Sequence, residues 1–180
     1  METFELVSHP AHPPLGVTRV SAGIIAQGDH WLTLRWKVEG AQALELPPFA
    51  GKGRADGLWQ ATCFELFVKP EGGEAYVEFN FSPSERWAAY DFTDYRNGMA
   101  DRPMPRDPVC TPRRGQSVLI FDVALPLAAL PSLPARYALT AVIAEAGGVT
   151  SYWAIAHRPD KADFHHASCF AATLPARQAP

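Results

Sequence analysis

Acidic and amide side chains alternate with aromatic and aliphatic ones in two neighbouring segments of the sequence, TCFELFVK and AYVEFNF. Because successive side chains of a strand point to opposite faces, Glu65 lies on one face of the first segment, and Glu78 and Asn80 share one face of the second. Such polar groups are costly to bury among aromatic rings unless they are hydrogen-bonded. Two interpretations stay open: a solvated outer face of a sheet, or a concave polar face with aromatic margins. The second would suit a sugar, whose hydroxyls bind acids and amides while its C–H faces stack on Trp and Tyr.

The carboxylates Glu65, Glu78, Asp91 and Asp94 raise a further possibility, the paired acids of a glycoside hydrolase. Such a pair must flank one bond at about 5 Å or about 6.5–9.5 Å. Spacing along the sequence does not define these distances, so hydrolysis stays an alternative to binding. The sequence contains none of the common nucleotide-binding, zinc-protease, serine-hydrolase or calcium-loop motifs, and we assign no catalytic residue.

Histidines are concentrated near the C-terminus, where His157, Asp163, His165 and His166 occur in the run SYWAIAHRPDKADFHHASCF. Imidazole and carboxylate are common ligands of transition metals. Adjacent histidines on a strand, however, point to opposite faces, which is awkward for binding one ion. We therefore favour a hydrogen-bonded loop that packs over a sheet edge, and we assign no metal ligand. The same composition suits the rim of a ligand site, because loops often form such rims.

Together these segments predict one aromatic-walled pocket. Trp59 opens the strand that carries Glu65 and follows a glycine-rich connection, so its indole is free to lie at a rim. Trp153 and His157 are expected to share a face of the last strand, because they are four residues apart. The predicted ligand-binding residues are Trp59, Glu65, Asn80, Trp153, His157, Phe164, His165 and His166. They combine aromatic walls with a few polar groups, as small-molecule sites do.

The elements that must position these residues are short strands. Glycines at residues 28, 72–73 and 147–148 separate alternating runs and predict three hairpins. Residues 126–131 begin with proline and predict one short helix, while the proline-rich residues 97–115 are expected to be mostly irregular. The predicted core is Leu34, Trp36, Phe64, Leu66, Val77, Phe79, Leu119, Phe121 and Leu139. About eight to ten strands predict an all-β fold, an antiparallel two-sheet β-sandwich resembling a jelly roll, with a β-barrel as the near alternative.

Length and composition narrow the class of protein. The 180 residues are expected to form a single domain over 1–180, with a C-terminal tail from about residue 175. A hydrophobic content of 47% excludes intrinsic disorder, and a net charge of -3 favours neither a nucleic-acid nor a membrane partner. No apolar run is long enough for a spanning helix, and the first residues show no secretory signal. Three widely spaced cysteines favour reduced thiols in the cytoplasm.

Four strings resemble the bacterial DOMON-like proteins, which are related to the family-9 carbohydrate-binding modules. These strings are GLWQATCFELFVKP, YVEFNFSPSERWAAYDFTDYRNGM, FDVALPLAAL and SYWAIAHRPDKADFHHASCF. The resemblance covers roughly residues 31–174, and EFNFSPS and DFHH are its most specific parts. The relation to the family-9 modules rests on pattern. Trp59 is followed six residues later by Glu65, an aromatic strand pair comes next, and a later strand ends in a proline-initiated turn.

The resemblance implies a β-sandwich that binds a sugar or a related small molecule and performs no chemistry of its own. In family-9 modules two aromatic residues clasp a terminal sugar, and Trp59 and Glu65 match the first aromatic residue and its acidic partner. Where the second tryptophan is expected, this sequence has Phe164, His165 and His166. The implied partner is a soluble, saccharide-like ligand.

Cofactors are the other alternative that the resemblance raises, although none is required for sugar binding. Family-9 modules carry calcium sites, for which we assign no residues here. Other DOMON domains bind haem between Met and His ligands, and Met99 with His157 is the pair that this sequence offers. A haem-binding domain therefore stands as the second functional hypothesis, ahead of a glycoside hydrolase.

Overall fold

Thirteen β-strands and four short 3-10 turns form the regular structure of residues 2–176, the part of the chain that the computed structural model describes. The strands are β1 (Thr3–Ser8), β2 (Arg19–Gln27), β3 (Trp31–Glu39), β4 (Gly53–Arg54), β5 (Cys63–Pro70), β6 (Tyr76–Phe81), β7 (Arg86–Phe92), β8 (Ala100–Asp101), β9 (Val109–Arg114), β10 (Val118–Pro126), β11 (Ala135–Glu145), β12 (Val149–Ala154) and β13 (Ala172–Leu174). The 3-10 turns are Ala41–Ala43, Leu58–Gln60, Leu127–Ala129 and Ala167–Cys169. The fold is therefore nearly all-β, and residues 177–180 of the predicted tail lie outside the described part.

The strands form one continuous, curled sheet. Their order is β4-β7-β6-β5-β11-β12-β1-β2-β3-β10-β9, with β8 added to β7 and β13 added to β11. Strand β1 joins two halves of this order, the strands from β4 to β12 and the strands from β2 to β9. Its residues 3–6 pair with β2, and its residues 7–8 pair with β12. The pairing of β4 with β7 is parallel, so the sheet is mixed and resembles half a barrel. The prediction of two separate antiparallel sheets thus differs from the structure at β1, whose double pairing is set by contacts between distant segments.

One face of the sheet carries the main core, and all nine residues predicted for it are buried there. Trp36 lies at its centre, with the rings of Phe64, Phe81 and Phe121 at centroid distances of 5.6, 6.3 and 6.4 Å. The predicted alternation is confirmed, because Phe64 and its even-numbered neighbours on β5 face this core. The odd-numbered residues of β5 must then lie on the opposite face.

The three predicted hairpins are present as β2–β3, β5–β6 and β11–β12, each antiparallel. One local prediction needs correction. The helix expected over residues 126–131 is a single 3-10 turn. Residues 97–115 are mostly irregular, as predicted, although they contain the short strands β8 and β9. Strand β9 tolerates Pro112 because it is the last strand at one end of the sheet, where a missing N–H breaks no ladder.

The opposite face of β5, β6, β7, β11 and β12 is covered by the segment that follows β12. A second cluster of buried residues forms between them: Phe67, Tyr76, Ala88, Tyr90, Phe92, Ala138, Val142, Ala154, Phe164, Cys169 and Phe170. The interpretation of this face as a solvated surface is therefore wrong, since Glu65, Glu78 and Asn80 are at most 6% exposed. No helix in the described residues is long and apolar enough to cross a membrane.

Candidate functional site

A cavity of about 350 Å³ opens on this second face of the sheet. Its floor consists of side chains from the strands, Glu65, Phe67, Glu78, Tyr90, Phe92, Val142 and Tyr152. Its mouth consists of side chains from the connecting segments, Trp59, Arg96, Met99, Ala162, Asp163, Phe164 and His165. The cavity thus combines aromatic walls with acidic, basic and imidazole groups. Its volume is in the range of about 300–1,000 Å³ that is usual for small-molecule sites.

Two glutamates lie at the centre of the floor, on the adjacent strands β5 and β6. Glu65 is paired across the strands with Asn80, so Glu78 is its diagonal neighbour. Thr140 Oγ1 donates a hydrogen bond of 2.9 Å to Glu65 Oε2, and Asn80 Nδ2 donates one of 2.8 Å to Glu78 Oε1. Burial, followed by repulsion from Glu78, raises the pKa of Glu65 to about 8. Burial also raises the pKa of Glu78 to about 7, so the pair holds at least one proton at neutral pH.

His165 lies beside this pair, with its Nε2 3.6 Å from Glu78 Oε2. Burial, with the nearby charge of Arg96, lowers the pKa of His165 to about 4, so the imidazole is neutral near pH 7 and the contact is not an ion pair. The Tyr76 hydroxyl accepts a hydrogen bond of 3.1 Å from the Arg96 N–H and lies 2.7 Å from His165 Nδ1. We infer that this hydroxyl donates to Nδ1, which places the imidazole proton on Nε2, toward Glu78.

Asp163 links two chain segments at the mouth of the cavity. Its buried carboxyl accepts hydrogen bonds of 2.7 and 3.2 Å from Arg96 Nη2 and Nε, and another from the Tyr95 hydroxyl. Burial by itself would raise the pKa of Asp163, but the hydrogen bonds from Tyr95 and Arg96 bring it below its ordinary value. Asp163 therefore carries its charge at neutral pH. It connects the loop after β7 to the segment after β12, and it neutralises the guanidinium of Arg96.

Aromatic rings stand at both margins of the floor, and the two glutamates lie between them. At the β7 margin, Trp59 lies on a 3-10 turn and makes an edge contact with Tyr90 at a centroid distance of 6.4 Å. Its side chain is 41% exposed, which leaves indole surface open at the mouth. At the β12 margin, Tyr152 packs edge-on against Phe164 at 6.0 Å. A planar, hydroxylated ligand could contact aromatic surface at its ends and polar groups at its centre.

The structure brings four of the eight predicted ligand-binding residues into this cavity: Trp59, Glu65, Phe164 and His165. Asn80 is fully buried beneath them and bonds to Glu78. His166 lines a second cavity of about 380 Å³, which shares His165 with the first. Ligand contact by these residues stays a prediction.

The other two predicted residues lie apart from the cavity lining. Trp153 belongs to the main core, and its Nε1 donates a hydrogen bond of 2.8 Å to Ser151 Oγ. His157 lies beyond the end of β12 at Ala154, so it does not share a strand face with Trp153. Its Nε2 lies 2.8 Å from the Val7 carbonyl oxygen, consistent with a hydrogen bond.

Several cavity residues are absent from the predicted set. The register of β6 and β7 places Tyr90 opposite Glu78, and assigning that hairpin register would have identified it. Arg96 and Asp163 come from separate loops, 67 residues apart in the sequence. No local pattern marks them as partners, because their contact depends on how the segment after β12 folds back over the sheet.

The cofactor hypotheses find little support in the placement of these residues. Met99 lines the cavity mouth, but the imidazole of His157 contacts the backbone of Val7 outside the cavity lining. The two side chains therefore do not form one haem site. Among residues 2–176, no three His, Cys, Asp or Glu side chains are grouped in a way that could hold a metal ion.

The glutamate pair predicts a pH dependence of stability. Glu65 ionises near its ordinary pKa of 4.5 in the unfolded chain, but only near 8 in the folded protein. As the pH rises through this interval, Glu65 ionises in the unfolded chain but stays protonated in the folded protein. The free energy of unfolding therefore falls with rising pH. Between about pH 5 and pH 8, we expect the free energy of unfolding of Glu65→Gln to rise by at least about 1 kcal/mol relative to that of the wild type. Urea unfolding at several pH values measures this difference.

The exposed Glu74 provides a matched control, since it lies outside the glutamate pair. Glu74→Gln should follow the wild-type pH profile closely. A Glu65→Gln variant whose stability stays parallel to that of the wild type across this interval would contradict the buried, repelling pair.

No protein-family model matches the sequence, and no curated protein matches it significantly. Solved structures do share its fold. One is a Bacteroides uniformis protein assigned as carbohydrate-binding, with 17% identity, coverage of 93% of this chain and 83% of that one, and a TM-score of 0.67. Two others are family-9 carbohydrate-binding modules from Caldicellulosiruptor kristjanssonii.

The module in complex with glucose is 9% identical, with 98% and 86% of the two chains covered and a TM-score of 0.55. The module in complex with cellotriose is 10% identical, with 86% and 73% covered and a TM-score of 0.52. At these identities the likeness concerns the fold alone. The chain thus has the fold of a family-9 carbohydrate-binding module.

Proposed function

We propose that this protein is a non-catalytic domain that binds a carbohydrate or a sugar-like small molecule in the cavity on the second sheet face. The observation that carries the proposal is the open indole of Trp59 above a floor of hydrogen-bonding groups. Indole stacks on the apolar face of a pyranose, and buried acids and amides bind its hydroxyls. The aromatic margins formed by Tyr90 and Tyr152 extend the same chemistry across the floor.

The structural neighbours support this proposal, since two of them hold glucose or cellotriose on the same fold. In this chain Phe164 packs with Tyr152 at the β12 margin. We propose that these two rings take the place of a second tryptophan in clasping the sugar. The sequence resemblance to the bacterial DOMON-like proteins supports the same class of ligand.

Binding is favoured over hydrolysis by the placement of the acids. Glu65 and Glu78 emerge side by side from one floor, as diagonal neighbours on adjacent strands. A glycoside hydrolase needs its two carboxyls on either side of the bond that breaks. We therefore expect no turnover of aryl glycosides by the purified protein.

The proposal is tested by titrating the protein with glucose, cellobiose and a wider saccharide array. We expect saturable binding at millimolar concentration or tighter, detected by calorimetry and by a change in tryptophan fluorescence. An open indole that stacks on a ring changes its solvation and hence its emission. Absence of binding to every saccharide at millimolar concentration would overturn the proposal.

We also propose a cytoplasmic location, with no nucleic-acid or membrane partner. The support is the free, buried state of the thiols of Cys63, Cys110 and Cys169. Free thiols persist in reducing compartments. The net charge of -3 does not favour association with polyanions.

A further inference from the structure

We infer that the ligand of this cavity is an amino sugar, whose ammonium group binds between Glu65 and Glu78. This inference rests on the proposed function and names the class of saccharide that the site takes. It follows from two carboxyl groups without a cationic partner and from unused hydrogen-bonding capacity at one point of the floor.

The acidic side chains of the cavity outnumber the basic ones. Glu65, Glu78 and Asp163 supply three carboxyls, against the single guanidinium of Arg96. Arg96 bonds to Asp163 through two nitrogens, so its charge is already compensated. His165 lies 3.6 Å from Glu78 but is neutral near pH 7. Within residues 2–176, no Lys or Arg hydrogen-bonds to either floor glutamate, so the pair keeps protons at neutral pH, and a cation in the cavity would let both carboxyls ionise.

The hydrogen bonds of the floor are also unbalanced. Thr140 donates to one oxygen of Glu65, and Asn80 donates to one oxygen of Glu78. A carboxylate can accept about four hydrogen bonds, so both groups keep accepting capacity toward the cavity. Asn80 Oδ1 is fully buried and has no hydrogen-bond partner. Once both carboxyls are ionised they are acceptors only, and an ammonium group would supply three donors at once.

A neutral sugar would satisfy this floor less well, because a hydroxyl brings one donor and no charge. The groups that face the glutamates are Thr140 from β11, Tyr90 from β7, Cys63 from β5, and Arg96 and His165 from the covering segments. The Tyr90 hydroxyl donates its proton to Asp56, 2.7 Å away. Burial, with added repulsion from Glu78 in the case of Glu65, keeps the pair protonated. The positive charge of a bound ammonium would lower both pKa values, so binding should release protons.

The test compares D-glucosamine, D-glucose and N-acetyl-D-glucosamine by calorimetry at about pH 6.5, where the glutamates are protonated before binding. We expect D-glucosamine to bind at least about tenfold more tightly than D-glucose, since a change of one pKa unit corresponds to tenfold in affinity. N-acetyl-D-glucosamine, which lacks the charge, should not show this gain. Titration in two buffers of different ionisation enthalpy should show proton release with D-glucosamine alone.

Two variants locate the effect. Glu78→Gln and Glu65→Gln should each bring the ratio of the two affinities close to one and reduce the proton release. Glu74 forms an exposed ion pair with Lys69 and does not line this cavity. Glu74→Gln should therefore keep the preference for D-glucosamine and the proton release. The wild-type proton release provides a readout even if a floor variant fails to fold.

The outcomes separate the two proposals. If D-glucose binds as tightly as D-glucosamine, the amino-sugar inference fails and the saccharide-binding function stands. If D-glucosamine is preferred but Glu78→Gln keeps the full preference and proton release, the inference also fails. If none of the three sugars nor any array saccharide binds, both the inference and the proposed function fail.

Discussion

Replacing Trp59 with alanine is expected to weaken saccharide binding by about thirtyfold or more, with a change of less than about 1 kcal/mol in the free energy of unfolding. Trp59 is 41% exposed and touches Tyr90 only edge-on, so its removal leaves no buried void in the core. Its open face is the surface on which a pyranose would stack. Calorimetric titration and urea unfolding of the same preparation measure the two effects.

Phe49 offers a matched control for the loss of an exposed aromatic ring. It is 67% exposed and is not among the residues that line the cavity. Phe49→Ala should therefore keep the saccharide affinity of the wild type. If Trp59→Ala instead lost several kcal/mol of stability while its folded fraction bound sugar normally, Trp59 would be a structural residue and the site would lie elsewhere.

Replacing Trp36 with alanine is expected to have the opposite signature, a loss of about 3–5 kcal/mol in stability. Trp36 is fully buried among three phenylalanine rings, and its removal leaves a cavity that the rigid sheet cannot close. Its Nε1 also donates a hydrogen bond of 3.1 Å to the carbonyl of Thr140, and this bond would be lost. For a chain of this size we expect the melting temperature to fall by about 6–20 °C.

This core tryptophan also supports the cavity floor from below. The carbonyl of Thr140 accepts the hydrogen bond from Trp36, and the hydroxyl of Thr140 donates one to Glu65. Trp36→Phe keeps most of the ring volume but loses the donor, so its cost should be only about 1–2 kcal/mol. A loss of less than about 1 kcal/mol in Trp36→Ala would show that the core can repack around the void.

Much of the strand structure could be predicted from the sequence, because its causes are local. Side chains alternate with a period of two, so Leu66 and Glu65 must point to opposite faces wherever the strand lies. Paired glycines between alternating runs set the turns of the β5–β6 and β11–β12 hairpins. The same reasoning gave the core around Trp36, since burial of the apolar face follows once the strands form a sheet.

The connection between the halves of the sheet depended on tertiary structure. Strand β1 pairs with β2 along one part of its length and with β12 along the other, which turns two expected sheets into one curled sheet. The backbone groups that pair two strands are the same for nearly all residues. The sequence of a single strand therefore does not identify its partner. The pairing is therefore decided by where distant segments meet.

The candidate site shows the same division between local and distant causes. The alternation in β5 and β6 predicted that Glu65, Glu78 and Asn80 would share one face of the sheet. Trp59, expected to open the strand of Glu65, lies instead on the 3-10 turn that precedes it. Their burial was decided by the segment after β12, which packs Phe164 and His165 over that face and binds Arg96 through Asp163. A strand pattern specifies which side chains point the same way, whereas the charge state of those side chains depends on how much water and which partners the folded chain leaves around them.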